Sequence, residues 1–119
     1  MKYSYKGKDI YLACGATDMR NEIDGLAAVV QSSFKLTPAS NAIFIFCNAS
    51  RDRLKILEWD GDGFWLHYKR LERGRFPWPE KSGDEKTMML SQHELEQLLG
   101  ESKLRQKFDR IDYSGRALV

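Results

Sequence analysis

Cysteine and proline are scarce in this chain of 119 residues, which contains two of the first and three of the second. Two cysteines are too few for the disulfide framework of a small secreted protein. We expect Cys14 and Cys47 to be reduced and buried, because both lie in short apolar runs. No apolar run approaches the roughly 20 residues of a membrane-spanning helix, and residues 1–9 are too polar for a signal peptide. These absences predict a cytoplasmic protein without membrane association.

A surplus of either charge is also missing. The chain has 19 Lys and Arg against 17 Asp and Glu, which gives a net charge of +2 and a pI of about 8.5. This near balance does not by itself predict nucleic-acid binding, for which a pI above about 9 with clustered cations is typical. Any role in binding DNA or RNA must therefore come from the local arrangement of charge.

Signatures of common enzymes are absent as well. The chain has no Walker loop, no GxGxxG after a strand, no HExxH and no GxSxG. His67 and His93 have no carboxylate or cysteine at metal-ligand spacing, and the aspartates fall in predicted caps, turns and helix surfaces rather than in a two-metal arrangement. We therefore predict a protein that is not an enzyme and that has no cofactor, metal or small-molecule ligand. A metal-dependent nuclease is the enzymatic alternative.

The hydrophobic pattern predicts a single α+β domain over residues 1–119, with a mostly antiparallel sheet of about four to five strands and helices on one face. The predicted core spans residues 10–100, and residues 101–119 form a tail with a possible short helix. Apolar runs predict strands at 10–13, 42–47, 53–59, 64–71 and 87–90. The run at 42–47, AIFIFC, lacks alternation, so we expect it to be covered on both faces.

Two helices are predicted from their periodicity and caps. The first is expected to start after a cap at Thr17 or Asp18 and to place Met19 on its apolar face. The second is marked by a capping box of Ser91 and Glu94, and it ends at a glycine suited to a C-terminal cap.

Glycines and aspartates at positions 60–63 predict a hairpin turn between the strands at 53–59 and 64–71. Antiparallel pairing brings the open ends of the two arms together, and basic residues cluster near those ends. The candidate nucleic-acid-binding residues are Arg51, Arg53, Lys55, Lys69, Arg70, Arg73 and Arg75. The blander interpretation is a solvated surface that Asp52 and Glu72 partly neutralise.

Aromatic residues are interleaved with the later cations. Phe76 and Trp78, each followed by a proline, are the candidates for stacking on a base or for anchoring a partner protein. They are equally suited to covering the hydrophobic core. The sequence leaves these alternatives open.

Several segments together resemble a known family. They are YLACGATDMR (11–20), DGLAAVVQ (24–31), IFIFCN (43–48), DRLKILEWDGDGFWLHYKRLERGRFPWP (52–79) and LSQHELEQLLG (90–100). In order and spacing they are similar to the small accessory proteins, called TnpB or the second open reading frame, of the insertion sequence 66 family of bacterial transposable elements. The resemblance implies a protein needed for movement of the element, without catalytic activity of its own, and a partnership with the transposase.

These observations lead to two expectations about function. The first is a non-catalytic accessory factor for transposition, which acts through the basic and aromatic residues on DNA of the element. The second is an adaptor that docks on the transposase without contacting DNA. This chain reads Asn21-Glu22 and Cys47-Asn48-Ala49-Ser50 where the family is often basic, which removes positive charge from both places.

Overall fold

Five strands and two helices make up the fold in a computed structural model, which describes residues 5, 7–80 and 83–100. In chain order they are β1 (Asp9–Ala13), α1 (Ile23–Ser32), β2 (Ala42–Cys47), β3 (Arg53–Trp59), β4 (Phe64–Arg70), β5 (Thr87–Leu90) and α2 (Gln92–Leu99). All five predicted strands are present within a residue or two of their expected ends. The predicted tail at 101–119, with its short helix, lies outside the described residues.

The strands form one sheet in the order β4-β3-β2-β1-β5. Only β1 and β2 are parallel, and the other three neighbouring pairs are antiparallel. A parallel pair requires a crossover connection, which α1 provides between β1 and β2. The prediction of an α+β fold with a mostly antiparallel sheet is confirmed.

Strand β2 lies at the centre of the sheet and is buried along its whole length. Successive side chains of a strand point to opposite faces. Ile43, Ile45 and Cys47 accordingly belong to one hydrophobic cluster, while Phe44 and Phe46 belong to another. The prediction that this strand is covered on both faces is confirmed.

The two helices cover opposite faces of the sheet. Leu26 and Val30 of α1 are in the cluster that contains Phe44, on what we call the α1 face. Leu95 and Leu98 of α2 are in the other cluster, on the α2 face. The prediction that the helices share one face is therefore wrong. Its physical reason is that β2 is apolar on both sides, so each side needs its own cover.

The β3–β4 hairpin turns at Gly61 and Asp62. The register pairs Trp59 with Phe64, which is one of the two registers compatible with the glycines in the sequence. Gly61 has a φ of 109°, a backbone conformation that residues with a side chain rarely adopt. The Asp60 carboxylate accepts hydrogen bonds from the backbone N–H groups of Asp62 and Gly63. This turn fixes which side chains of the hairpin share a face.

Helix α1 starts later than expected. It begins at Ile23 with Glu22 as its N-cap, and no side chain caps it by a hydrogen bond. Asp18, which was predicted as a cap, instead accepts from the backbone N–H and the guanidinium of Arg20. The Arg20 guanidinium, two residues away, supplies the charged hydrogen-bond donors for the Asp18 carboxylate, so this carboxylate does not cap the helix. Residues 18–22 therefore form an extended turn before the helix.

Helix α2 follows its local sequence signal closely. The Ser91 hydroxyl accepts from the Glu94 backbone N–H, and the Glu94 carboxylate accepts from the Ser91 backbone N–H. Gly100 adopts the left-handed conformation that a C-terminal cap requires. The predicted capping box is confirmed, and it holds the end of β5 next to the start of α2.

Cys14 and Cys47 are not joined in a disulfide; Cys47 is buried and Cys14 is half-buried. The expectation that both cysteines are buried therefore holds fully only for Cys47. No helix within the described ranges is long and apolar enough to span a bilayer.

Candidate nucleic-acid interface

The open end of the β3–β4 hairpin gathers five of the seven predicted cations. Arg53 and Arg70 are directly opposite each other on β3 and β4. The backbone N–H groups of Leu71 and Phe76 donate to the carbonyls of Asp52 and Arg51, at 2.8 and 2.7 Å. These bonds place the loop 71–76 alongside the loop 48–52. We call the resulting group the arginine platform, and its members are Arg51, Arg53, Arg70, Arg73 and Arg75.

Two acidic side chains only partly neutralise the arginine platform. Asp52 lies 3.8 Å from the Arg53 guanidinium, and Glu72 lies 2.8 Å from that of Arg70. The pKa of Asp52 is lowered, chiefly by a hydrogen bond from the Asn48 amide and further by the charges of Arg53 and Arg75. The lowered pKa keeps Asp52 ionised at neutral pH. By formal charge, the five arginines of the platform exceed Asp52 and Glu72 by three.

Asn48 organises the turn that carries Arg51 and Asp52. Its side-chain oxygen accepts from the backbone N–H groups of Asp52 and Arg53, both at 3.0 Å, and its amide donates to the Asp52 carboxylate at 2.8 Å. Arg51 adopts a φ of 61°, which is uncommon for a residue other than glycine. Asn48 was not among the residues predicted for the site. The signal was an asparagine that opens a polar loop, a position from which Asn commonly bonds to the following backbone.

Lys55 does not belong to the arginine platform, although it was predicted with it. Only 5% of the residue is exposed. Its ammonium donates to the carbonyls of Met19 and Asn21, at 2.9 and 2.8 Å, and pairs with the Glu22 carboxylate at 3.2 Å. The position on the α1 face places it under the turn 18–22. The Lys55 ammonium therefore stabilises that turn. The sequence pattern did not predict this contact.

Lys69 is likewise separated from the arginine platform. It lies on the α2 face of β4, and its ammonium donates to the carbonyl of Leu99 at the end of α2. A cation is favourable there because carbonyl groups accumulate at a helix C-terminus. The alternation of side chains along β4 thus directs Lys69 and Arg70 to opposite faces of the sheet.

Phe76 and Trp78 are parts of the hydrophobic core. Their residues are 1% and 5% exposed, and both belong to the cluster on the α2 face. The indole N–H of Trp78 donates to the carbonyl of Ala13 at 3.1 Å. Neither ring, as placed, offers a face for base stacking or for a partner. Of the alternatives that the sequence left open, the structure shows the one in which both rings cover the hydrophobic core. Neither residue is part of the arginine platform.

Two other aromatic residues are exposed in the part of the chain that the structure describes. Trp65 and Tyr68 on β4 are each 54% exposed, but they lie on opposite faces of the sheet. Trp65 stacks on His67 and donates to the Asp60 carboxylate. Tyr68 is on the α1 face, two residues before Arg70. The aromatic residue nearest in sequence to the arginines of β4 is thus Tyr68, which was not among the predicted site residues.

An open groove adjoins Tyr68 on the α1 face. Its volume is about 1040 Å³, and it lies between residues 18–25 on one side and the β3–β4 hairpin on the other. No group of three or more His, Cys, Asp or Glu side chains capable of holding a metal ion occurs in the part of the chain that the structure describes.

Comparison with known proteins places these features in a family. The model of the family described as IS66 Orf2 like protein, TnpB_IS66, matches residues 8–108. Two relatives from Sinorhizobium fredii, both described as uncharacterized proteins, y4hO and y4jC, are 43% and 38% identical over 74 residues. The matched stretch is 62% of this chain in both cases and 64% and 63% of the relatives. The chain thus spans a little under two thirds of their length.

No solved structure matches this chain. The family model, in contrast, covers both helices, all five strands and every residue of the arginine platform. The chain belongs to the IS66 Orf2-like family, whose name associates it with insertion sequences.

Proposed function

We propose that this protein is a non-catalytic accessory factor for transposition, which binds DNA of its insertion sequence through the arginine platform. The observation that carries the proposal is the cross-strand pair of Arg53 and Arg70. Like charges directly opposite each other destabilise an antiparallel pair. Asp52 and Glu72 offset part of this repulsion, and a polyanion that lies across both guanidiniums offsets the rest.

The chemistry of the platform suits a phosphate backbone. Guanidinium groups present planar, paired donors that match phosphate oxygens. Binding releases counterions from DNA, so the logarithm of the binding constant falls linearly with the logarithm of the salt concentration. Each phosphate contact makes this slope steeper. The platform is also held in place before binding, because Asn48 and the two backbone bonds at 51–52 fix the loops that carry it.

The test is a fluorescence anisotropy titration of the protein against duplex DNA from the ends of the element. We expect affinity to fall with salt at a slope of about −0.9 for each neutralised phosphate, so three to five contacts give a slope of about −3 to −4.5. An absence of binding at low salt would rule out direct contact with DNA by the protein alone.

A pair of double variants separates the platform from general charge effects. Arg73→Gln with Arg75→Gln removes two platform cations, and we expect a weaker affinity and a slope smaller by about 2. Lys35→Gln with Lys86→Gln removes the same charge from exposed positions elsewhere. This control is expected to keep most of the affinity. Equal losses in both double variants would refute the platform as the binding surface.

A second candidate function is docking on the transposase, and the exposure of Trp65 favours it. Half-exposed tryptophans are common anchors of protein interfaces, and Trp65 lies on the sheet face opposite to the groove and to Tyr68. In a pull-down with the transposase, Trp65→Ala is expected to reduce recovery, while the Arg73→Gln, Arg75→Gln variant retains it. Equal recovery with Trp65→Ala argues against this surface.

A further inference from the structure

The α1 face combines an aromatic ring, guanidiniums and a groove in one place. Along β4, Tyr68 and Arg70 point to the same face and are roughly 7 Å apart, the distance of two strand residues. Across the hairpin, Arg53 pairs with Arg70 and Lys55 pairs with Tyr68. Both Arg53 and Tyr68 also line the groove of about 1040 Å³. The ring is therefore bordered by cations on one side and by the groove on the other.

Tyr68 is oriented but not covered. The Lys55 ammonium lies 5.8 Å from the centroid of the Tyr68 ring, and three hydrogen bonds to residues 19–22 hold that ammonium in place. Tyr68 is nevertheless 54% exposed, so a large part of the ring is open to a ligand. An exposed, pre-oriented aromatic ring beside cations is the arrangement on which single-stranded nucleic acids stack their bases.

The charge of the groove differs from that of the arginine platform. The cations that line it are matched in number by carboxylates from Asp18, Glu22 and Asp24. Two of these carboxylates are paired within the protein, Asp18 with Arg20 and Glu22 with Lys55. The remaining walls include apolar side chains from Met19, Ile23 and Leu66. A neutral groove with apolar walls suits a flat, uncharged heterocycle better than it suits a phosphate.

We infer that this groove receives an unpaired base of single-stranded DNA, which stacks on Tyr68 while phosphates of the same strand lie on Arg53 and Arg70. The inference rests on the proposed function, because it uses the arginine platform to hold the backbone. It adds that the protein distinguishes unpaired from paired DNA. A base within a duplex is stacked on both sides and cannot enter the groove without leaving the helix.

The test compares three labelled ligands by fluorescence anisotropy. They are a single-stranded oligothymidylate of about 16 nucleotides, the upper end of the site size of a small domain, an oligonucleotide of the same length with abasic sites, and a duplex. The protein variants are Tyr68→Ala, Tyr68→Phe and Trp65→Ala. Trp65→Ala is the matched control, since Trp65 lies on the same strand with the same exposed fraction but on the opposite face.

We expect Tyr68→Ala to bind the single strand about tenfold more weakly, as the loss of one stacked base implies. Tyr68→Phe and Trp65→Ala should stay within about twofold of the wild type, and Tyr68→Ala should bind the duplex normally. The abasic ligand should bind the wild-type protein as weakly as the intact strand binds Tyr68→Ala.

Equal affinity of the wild-type protein for the abasic and intact strands would overturn the inference, and this arm needs no variant to fold. Equal affinity of Tyr68→Ala and the wild type for the single strand would overturn it too. If either result accompanies normal duplex binding, the proposed function stands and only the groove assignment falls. If no DNA binds at low salt, the proposed function fails and the inference fails with it.

Discussion

Lys55 and Tyr68 face each other across β3 and β4, with the ammonium of one 5.8 Å from the ring centroid of the other. The same ammonium donates hydrogen bonds to the carbonyls of Met19 and Asn21. One buried cation therefore links the turn before α1 to an exposed aromatic ring on the hairpin. This link connects the ATDMR segment at residues 16–20 with the LHYKR segment at 66–70, which are far apart in the sequence.

Removal of the Lys55 charge should destabilise the fold. Lys55→Met keeps an apolar stem of similar length but leaves the Met19 and Asn21 carbonyls without their donor. We expect the free energy of unfolding to fall by about 1–3 kcal/mol in a urea titration. Arg53→Met, two residues earlier on the same face and exposed, should change it by less than about 0.5 kcal/mol. Equal stabilities of the two variants would show that the Lys55 bonds contribute little.

Phe76 should affect stability rather than DNA affinity. Its ring lies in the core on the α2 face, so Phe76→Ala leaves a cavity and is expected to cost about 3–5 kcal/mol in unfolding free energy. Arg75→Ala, the exposed neighbour, should leave stability nearly unchanged and weaken DNA binding. If Phe76→Ala were as stable as the wild type but deficient in binding DNA, the ring would have the stacking role that the sequence suggested.

Because of Glu58, we expect the stability of the fold to depend on pH in the acidic range. Burial alone would raise the pKa of Glu58, but hydrogen bonds from Lys8 at 2.7 Å and from His67 at 3.0 Å outweigh it, and the net shift is downward. A carboxyl group whose pKa is lower in the folded state adds stability above its unfolded value of about 4.3, and this contribution is lost as the pH falls through the folded pKa.

The measurement is the urea midpoint of unfolding from pH 6 down to about pH 3, the range that brackets the unfolded pKa of Glu58. We expect the midpoint of the wild-type protein to fall more steeply over this range than that of Glu58→Gln, which has no carboxyl group to titrate. Glu72→Gln serves as the control, because Glu72 is exposed. Parallel profiles for Glu58→Gln and the wild type would contradict the assignment.

Cys47 should be unreactive until the protein unfolds. Burial raises the pKa of the Cys47 thiol to about 12, so almost no thiolate is present at neutral pH. In a Cys14→Ser variant, we expect a disulfide reagent to label Cys47 slowly in buffer and rapidly in urea. The Cys47→Ser variant reports on half-buried Cys14 for comparison. Equal rates for Cys47 in buffer and in urea would place the thiol at the surface.

Features with a local signal were predictable from the sequence. The capping box at Ser91 and Glu94 depends on residues three apart, and the hairpin turn depends on two glycines. The burial of β2 follows from an uninterrupted apolar run, which leaves no polar face for solvent. In these places neighbouring residues determine the conformation, so the pattern is sufficient.

Features that depend on distant contacts were not predictable. The destination of Lys55 depends on the carbonyls of Met19 and Asn21, more than 30 residues earlier. The burial of Phe76 depends on where the loop after β4 crosses the sheet, and a Phe next to a proline carries no signal for that path. Of the candidate site, the sequence therefore predicted the arginines of the platform, but it offered Phe76 and Trp78 as the aromatic residues, and both lie in the core on the α2 face.

The position of β5 and α2 has a consequence for the timing of folding. Leu95 and Leu98 cover Ile43 and Ile45, which are synthesised some fifty residues earlier. Until the ribosome has released the chain beyond α2, one side of the central strand has no helical cover. Between the synthesis of β2 and that of α2, the nascent protein therefore exposes an apolar side of the central strand, and a chaperone that shields this side is most useful during that interval.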